Sequence, residues 1–212
     1  EKDRNGSIAT ASKRIVDIDI PTLLSKTPNW VKERYRGFKV AVQYPARPVG
    51  LEPYFLGYWL GDGNSNNQKI TTADPEVCEY LRSYAERLGL HYGQNGMVVT
   101  LGIDVRGRGK RNPLERMLKG YDLLYNKHIP EQYLVNSEEV RLQVLAGLID
   151  SDGNYWQGSY HFGNTNYQLV CDVKNLADSL GFCTRVGGGT RYCKALGRDY
   201  SSWCVTISGE LD

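Results

Sequence analysis

At 212 residues the chain has room for one large domain or two small ones, and with 41 % apolar residues it can form a packed core. A net charge of only +2 does not by itself announce a nucleic-acid binder, so local clusters carry that question. Composition argues against a membrane span and a secretory start: no apolar run is long enough, and "EKDRNGSIATASKR" is polar, as if cut from inside a longer chain.

Along the chain, "RIVDIDIPTLL" suggests a strand and a short helix, and "YPARPVGLEP" reads as a linker. From residue 51 the sequence repeats itself. "YFLGYWLGDGN" (54–64) aligns without a gap with "VLAGLIDSDGN" (144–154), placing Asp62 on Asp152 at an offset of 90. "VCEYLRSYAERLGL" (77–90) parallels "LVCDVKNLADSLGF" (169–182); both have helical periodicity and a Leu-Gly stop. "MVVTLGI" (97–103) parallels "WCVTISG" (203–209), both strand-like. Each half therefore reads helix, strands, helix, strands, and "NPLERMLKGYDLL" adds an amphipathic helix to the first. Asn136 or Ser137 is the expected N-cap of the second motif helix, with Glu138 and Glu139 in its first turn.

The five cysteines (Cys78, Cys171, Cys183, Cys193 and Cys204) contain no C-x-x-C pair and read as reduced, mostly buried thiols of an intracellular protein. Cys193 and Cys204 are candidates to face each other across a hairpin. His91, His128 and His161 lack metal-ligand spacing, which argues against a histidine–metal nuclease. Tyr54, Tyr58 and Trp59 read as core.

The motif helices carry the chemistry. Gly57 and Gly61, like Gly147 and Ser151, are four apart and so share a face that permits close backbone approach. Gly63 and Gly153 follow as C-caps. If the helices run side by side, Asp62 and Asp152 converge at two negative helix ends, an anionic spot that a hard divalent cation would neutralise. Such a site suits hydrolysis of a phosphodiester.

"LAGLIDSDG" (145–153) nearly spells the name-giving motif of the LAGLIDADG homing endonucleases, and "FLGYWLGDG" (55–63) resembles a degenerate first copy. The segment "YNKHIPEQYL…RLQVLAGLIDSDG" resembles the intein-encoded branch. The resemblance covers about residues 50–209. It implies an α+β fold of two pseudo-twofold-related αββαββα halves, whose curved antiparallel sheets form a DNA-binding saddle. The halves are residues 51–135 and 136–212, the latter lacking its last helix, and residues 1–50 are a connector or arm from an intein context. It further implies a monomer embedded in an intein host and acting on DNA inside the cell, in the nucleus if the gene is nuclear. It would make a Mg²⁺-dependent double-strand break with short 3′ overhangs in a long asymmetric double-stranded target, the insertion site of its own intein. Two or three divalent ions are expected, Mn²⁺ or Ca²⁺ substituting for binding, held by Asp62 and Asp152 with Gly61 and Ser151. Asp150, which aligns with Leu60, takes a structural role at the helix end. The basic residue of the intein branch falls on Lys127 in "NKHIP"; its partner in the second half is missing from the sequence.

For DNA contacts, "VRGRGKRN" (105–112) presents Arg106, Arg108, Lys110 and Arg111 to phosphates. The strand "NSNNQKITTAD" offers Asn64, Asn66, Gln68, Lys69 and Thr71 at base edges. "NYWQGSYHFGN" offers Tyr155, Gln157, Ser159 and His161, and the last hairpin adds Arg185, Arg191, Lys194 and Arg198. "KERYRGFK" (32–39) is a candidate arm. A cleavage-impaired DNA-binding domain and an RNA-splicing maturase on the same fold stay open as alternatives.

Overall fold

Two glycine-bearing helices meet backbone to backbone at the middle of the larger unit. They are α3 (Pro53–Asp62) and α7 (Glu138–Asp152). A Cβ on Gly57 would overlap Val144 O and lie 3.0 Å from Leu148 N; one on Gly147 would overlap Tyr54 O and lie 2.7 Å from Tyr58 N. The small-residue face thus does what its spacing predicts: it lets main chain touch main chain. The computed structural model describes residues 15–35, 37, 40–103, 112–194 and 197–209, with Lys32, Arg191 and Cys193 described by their main chain alone. The expected start segment 1–14 and the basic loop with Arg106, Arg108, Lys110 and Arg111 lie outside the described residues, as do parts of 32–39.

The chain divides into two units, Glu1–Phe38 and Lys39–Asp212. The first holds α1 (Ile20–Leu24), capped by Asp19 on Thr22 N at 2.8 Å, and α2 (Pro28–Arg34), capped by Thr27. Residues 15–19, expected as a strand, form none.

In the second unit, α3 is followed by β1 (Ile70–Thr71), α4 (Pro75–Arg87), β2 (His91–Asn95), β3 (Val98–Gly102) and α5 (Pro113–Gly120). After α6 (Glu131–Leu134), α7 is followed by β4 (Gly153–Trp156), β5 (Ser159–Asn164), α8 (Tyr167–Ser179), β6 (Cys183–Cys193) and β7 (Arg198–Ser208). The sheets are antiparallel, in the orders β1-β3-β2 and β4-β5-β7-β6. These orders match once the isolated bridge Gly63–Ile70 is taken as the remnant of a strand equivalent to β4. The first half's first hairpin is reduced to that bridge. Its asparagines bond locally instead: Asn64 Oδ1 accepts from Asn66 N at 3.1 Å and Asn67 Oδ1 from Lys69 N at 2.9 Å, as Asn does when it competes with a ladder.

Helix starts follow the sequence. Asp74, Asn112, Ser137 and Asn166 cap α4, α5, α7 and α8, and Pro75 and Pro113 open their helices. Asn136, the other cap candidate, is fully buried and bonds Arg47 N at 3.0 Å. At Gly89 (φ 64°) and Gly181 (φ 87°) the Leu-Gly stops turn left-handed. Gly63 and Gly153 do not. Their backbones are extended, and each is small because a Cβ would run into the last turn, at Trp59 O and Ile149 O.

Residues 40–47 run against the second half before the chain enters the first. Val42 N donates to Ser179 O at 2.8 Å. Arg141, fully buried on α7, donates to Asn136 O (2.9 Å), to Ser179 O and Oγ (both 2.7 Å) and to Val42 O, with its guanidinium over Tyr44. Cys204 pairs with Gly187 and Cys193 with Arg198, so these cysteines do not face each other. Of the described thiols only Cys78 is buried; Cys183 is exposed and Cys171 and Cys204 are half-buried.

Candidate active site

Asp62 is the last residue of α3 and Asp152 the last of α7. The seam brings these ends together: a Cβ on Gly61 would overlap Ser151 Oγ and stand 3.4 Å from Asp152 N. Both carboxyls are held above their ordinary pKa. For Asp62 the first cause is burial, then the charge of Asp152; for Asp152 it is burial. Lys127 opposes both shifts, and the Asn164 amide, 3.1 Å from Asp152 Oδ2, helps hold that carboxylate.

Lys127 answers the electrostatic problem of a helix that ends in a carboxylate. Its ammonium donates to Gly61 O (3.0 Å) and Gly63 O (2.6 Å), carbonyls at the negative end of α3, and lies 5.1 Å from the Trp59 ring centroid. Burial brings its pKa down to about 8, while Asp152 and Asp62 resist the fall. The link that carries it is pinned from both halves. Tyr125 N donates to Ser65 O (2.7 Å), Asn166 Nδ2 to Lys127 O (2.7 Å), and Ile129 N to the buried Asp172 carboxylate (3.0 Å). Sequence reasoning did not find Asn164, Asn166, Asp172 or the part played by Trp59. The only signal for the first two was the polar run "GNTN" at the end of a predicted strand.

Among the described residues no group of three or more His, Cys, Asp or Glu could hold an ion. An ion here would rest on two carboxylates and on main-chain oxygens. Gly61 O and Gly63 O already point at one spot, since a single ammonium reaches both. Hard oxygen donors few enough to leave room for water fit Mg²⁺, which sheds its waters reluctantly. Ser151 does not present its side chain: the hydroxyl turns back to Gly147 O (2.9 Å) and Leu148 O (3.0 Å). Asp150 accepts from Tyr54 Oη across the seam at 2.9 Å.

No family model matches the chain. Among solved structures, variants of the homing endonuclease I-DmoI align with a TM-score of 0.51 and 14 % identity, over 75 % of this chain and 89 % of that one. I-DmoI in complex with DNA and Mn aligns at 0.50, with 14 % identity and the same coverage. The chain has the LAGLIDADG fold. In sequence it is 40 % identical over 143 residues to the replicative DNA helicase DnaB of Mycobacterium intracellulare, a match covering 67 % of this chain. It is 32 % identical over 168 residues to the homothallic switching endonuclease of Saccharomyces cerevisiae, covering 63 % of this chain. It spans only 21 % and 28 % of these relatives' lengths.

The LAGLIDADG sheets each have one face on the helices and one open. In the second sheet Phe162, Val205 and Ile207 face inward, so cross-strand register puts Asn154 with His161, Trp156 with Ser159, and Arg185 with Thr206 on the open face. Tyr155 pairs with Tyr160 on the inner side instead, and Gln157 sits in the turn at φ 49°. The expected alternation Tyr155, Gln157, Ser159, His161 therefore breaks at the hairpin tip. Asn154 and Trp156, 60 % exposed, take the open positions. Arg198 starts β7, opposite Cys193 in register, and Lys194 lies exposed in the turn between β6 and β7. Arg191 is placed opposite Tyr200. In the first sheet Lys69 and Thr71 are exposed, but Gln68 turns inward and donates to Leu101 O at 3.2 Å, while Asn64 and Asn66 belong to the turn. Gln68 is therefore not available to a base edge.

Proposed function

We propose that the chain is a site-specific endodeoxyribonuclease that cuts both strands of a long, asymmetric double-stranded target, leaving short 3′ overhangs. The observation that carries this reading is the meeting of Asp62 and Asp152 at the paired ends of α3 and α7, with Lys127 pinned beside them from both halves. Asp62 and Asp152, with the Gly61 carbonyl, would hold divalent ions, Mg²⁺ in the cell. When bound, such ions supply activated water and stabilise the leaving oxygen. The protein's own part is to hold two carboxylates side by side, Asp62 half-buried and Asp152 exposed, and to hold a proton on Lys127 Nζ beside the scissile phosphate. Lys69, Thr71, Asn154, Trp156, His161 and Arg185 face the DNA, basic groups meeting phosphate and the rest base edges.

An intein setting is supported by the relatives. A helicase and a switching endonuclease share this segment, yet it makes up only 21 % of one and 28 % of the other, as an insert carried by different hosts would. The target is then the uninterrupted coding sequence of the host gene, cut by the chain as a monomer. A plasmid bearing that joined sequence should be linearised with Mg²⁺, and Asp62→Asn or Asp152→Asn should each abolish linearisation; cutting by either variant would sink the mechanism. A cleavage-impaired binder is the second reading. It is favoured by a single described ammonium, that of Lys127, acting on both carboxylates. Tight binding of the joined site without cutting in Mg²⁺ or Mn²⁺ would decide for it.

A further inference from the structure

The second half carries exposed aromatic rings directly beyond its motif helix. Tyr155 and Trp156 of β4, just past Asp152, Gly153 and Asn154, are 64 % and 60 % exposed. Carried on past Asn64 and Asn154, the repeat puts Ser65 and Asn66 in their places. Both are exposed and polar, and they lie in the turn that replaces the first half's hairpin. Onto that turn the link between the halves lays Tyr125. Its N–H donates to Ser65 O at 2.7 Å, and its side chain is 79 % exposed. Among the described residues its ring meets no other ring and its hydroxyl has no hydrogen-bond partner.

Tyr125 holds φ 60°, the left-handed region that a bulky side chain rarely adopts and glycine adopts freely. Its surroundings enforce that conformation. Asn126 N donates to Leu123 O at 3.2 Å and Asn126 Nδ2 to Asp122 Oδ2 at 3.0 Å. Two residues on, Lys127 is tied to Gly61 O and Gly63 O by its ammonium and to Asn166 by its carbonyl. The core does not require a tyrosine at this position, because the ring lies in solvent. An exposed ring kept on a strained backbone points to a surface that a ligand covers. The ring starts from a backbone at most about 7 Å from that of Lys127. A flat apolar face next to an ammonium suits a nucleotide, which offers a base or sugar to the one and a phosphate to the other.

We propose that Tyr125 is a DNA-contacting residue whose ring packs on the nucleotide beside the scissile phosphate on the first half's side. It is the counterpart of Trp156 on the second half's side, supplied by the link because the first hairpin has lost its aromatic positions. The proposal rests on the nuclease reading and adds to it a contact that neither sheet provides.

Tyr125→Gly tests it, since glycine takes φ 60° without strain and keeps the N–H bond to Ser65 while removing the ring. The probe is a duplex of the joined host sequence, held uncut in Ca²⁺, with 2-aminopurine placed at one position at a time around the cut. With the wild type, fluorescence should change at positions adjoining the cut on the first half's side. With Tyr125→Gly that change should vanish and affinity should fall about tenfold, while the slope of affinity against salt stays as it was, because no charge is lost. The Tm of the free variant should not fall. Tyr125→Phe, which keeps the ring, should restore the fluorescence change. Full affinity in Tyr125→Gly would overturn the proposal, as would a Phe variant that behaves like the Gly one. A lowered Tm would overturn it too, by making the ring part of the fold. A wild type that binds no duplex overturns the nuclease reading itself, whereas equal binding and cutting with and without the ring overturns this contact alone.

Discussion

The first half of the larger unit is closed and the second is open, although both use one plan. At the matched positions the first half spends large, fully buried side chains (Phe55, Leu56, Trp59, Leu60) and the second smaller or polar ones (Leu145, Ala146, Ile149, Asp150), of which Ala146 and Asp150 are exposed and Ile149 half-buried. The active-site ends differ in the same direction. Lys127 acts on both carboxylates but is bonded to the end of α3, through Gly61 O and Gly63 O, whereas at the end of α7 the Asn164 amide bonds Asp152. Duplication therefore conserves the seam and the two carboxylates and frees the flanks to diverge.

The sharpest way to test that difference is truncation of one matched pair. Trp59→Ala should lower unfolding free energy by about 3–5 kcal/mol, and Ile149→Ala by less than about 2 kcal/mol because its site is already half open. Urea unfolding of the two variants measures the gap, and equal losses would mean the halves are packed alike. The seam should show no such asymmetry. Gly57→Ala and Gly147→Ala each force a methyl into the opposite main chain, so each should cost about 1–3 kcal/mol, and their double variant should be non-additive.

Titration probes the site itself. Lys127 has a folded pKa of about 8 against 10.5 for the free side chain, so its ammonium form is disfavoured by folding. That burden is complete below pH 8 and gone above 10.5, so stability should rise across this window relative to Lys127→Met, which lacks the proton. A flat difference between the two proteins from pH 8 to 10.5 would refute the burial. The two aspartates shift the other way. With folded pKa values raised, they weaken the metal-free protein once ionised, so Asp62→Asn should raise its Tm at pH 7, and Mg²⁺ should stabilise the wild type more than the variant. The smallest effect belongs to the sheet faces: Lys69→Ala and Arg185→Ala should each reduce the salt dependence of DNA binding by about one unit of slope.

Much of this was legible in the sequence, for definite reasons. The seam could be read because steric need fixes Gly57 and Gly147, and the helix starts because capping chemistry is local. The first hairpin could not, because "NSNNQK" has strand-like alternation yet its carboxamides find nearer partners. The hairpin tip at Gln157–Gly158 hid which face each residue takes, since a turn resets a count that runs evenly along a strand. Lys127 looked like an unremarkable lysine in a polar link, and only family resemblance singled it out. Its partners, Gly61, Gly63 and Asn166, are 66, 64 and 39 residues away, beyond any local pattern.

Arg141 has a consequence for anyone who would recombine such halves. Its buried guanidinium bonds to Asn136, Ser179 and Val42, so part of what completes the second half is polypeptide that precedes the first. A chimera that imports residues 136–209 alone would leave the Nη2 donor and the Ser179 carbonyl inside without Val42, at the cost of an unmet buried charge-assisted bond. The exchangeable cassette is therefore not a contiguous half: it must bring residues 40–47 with it.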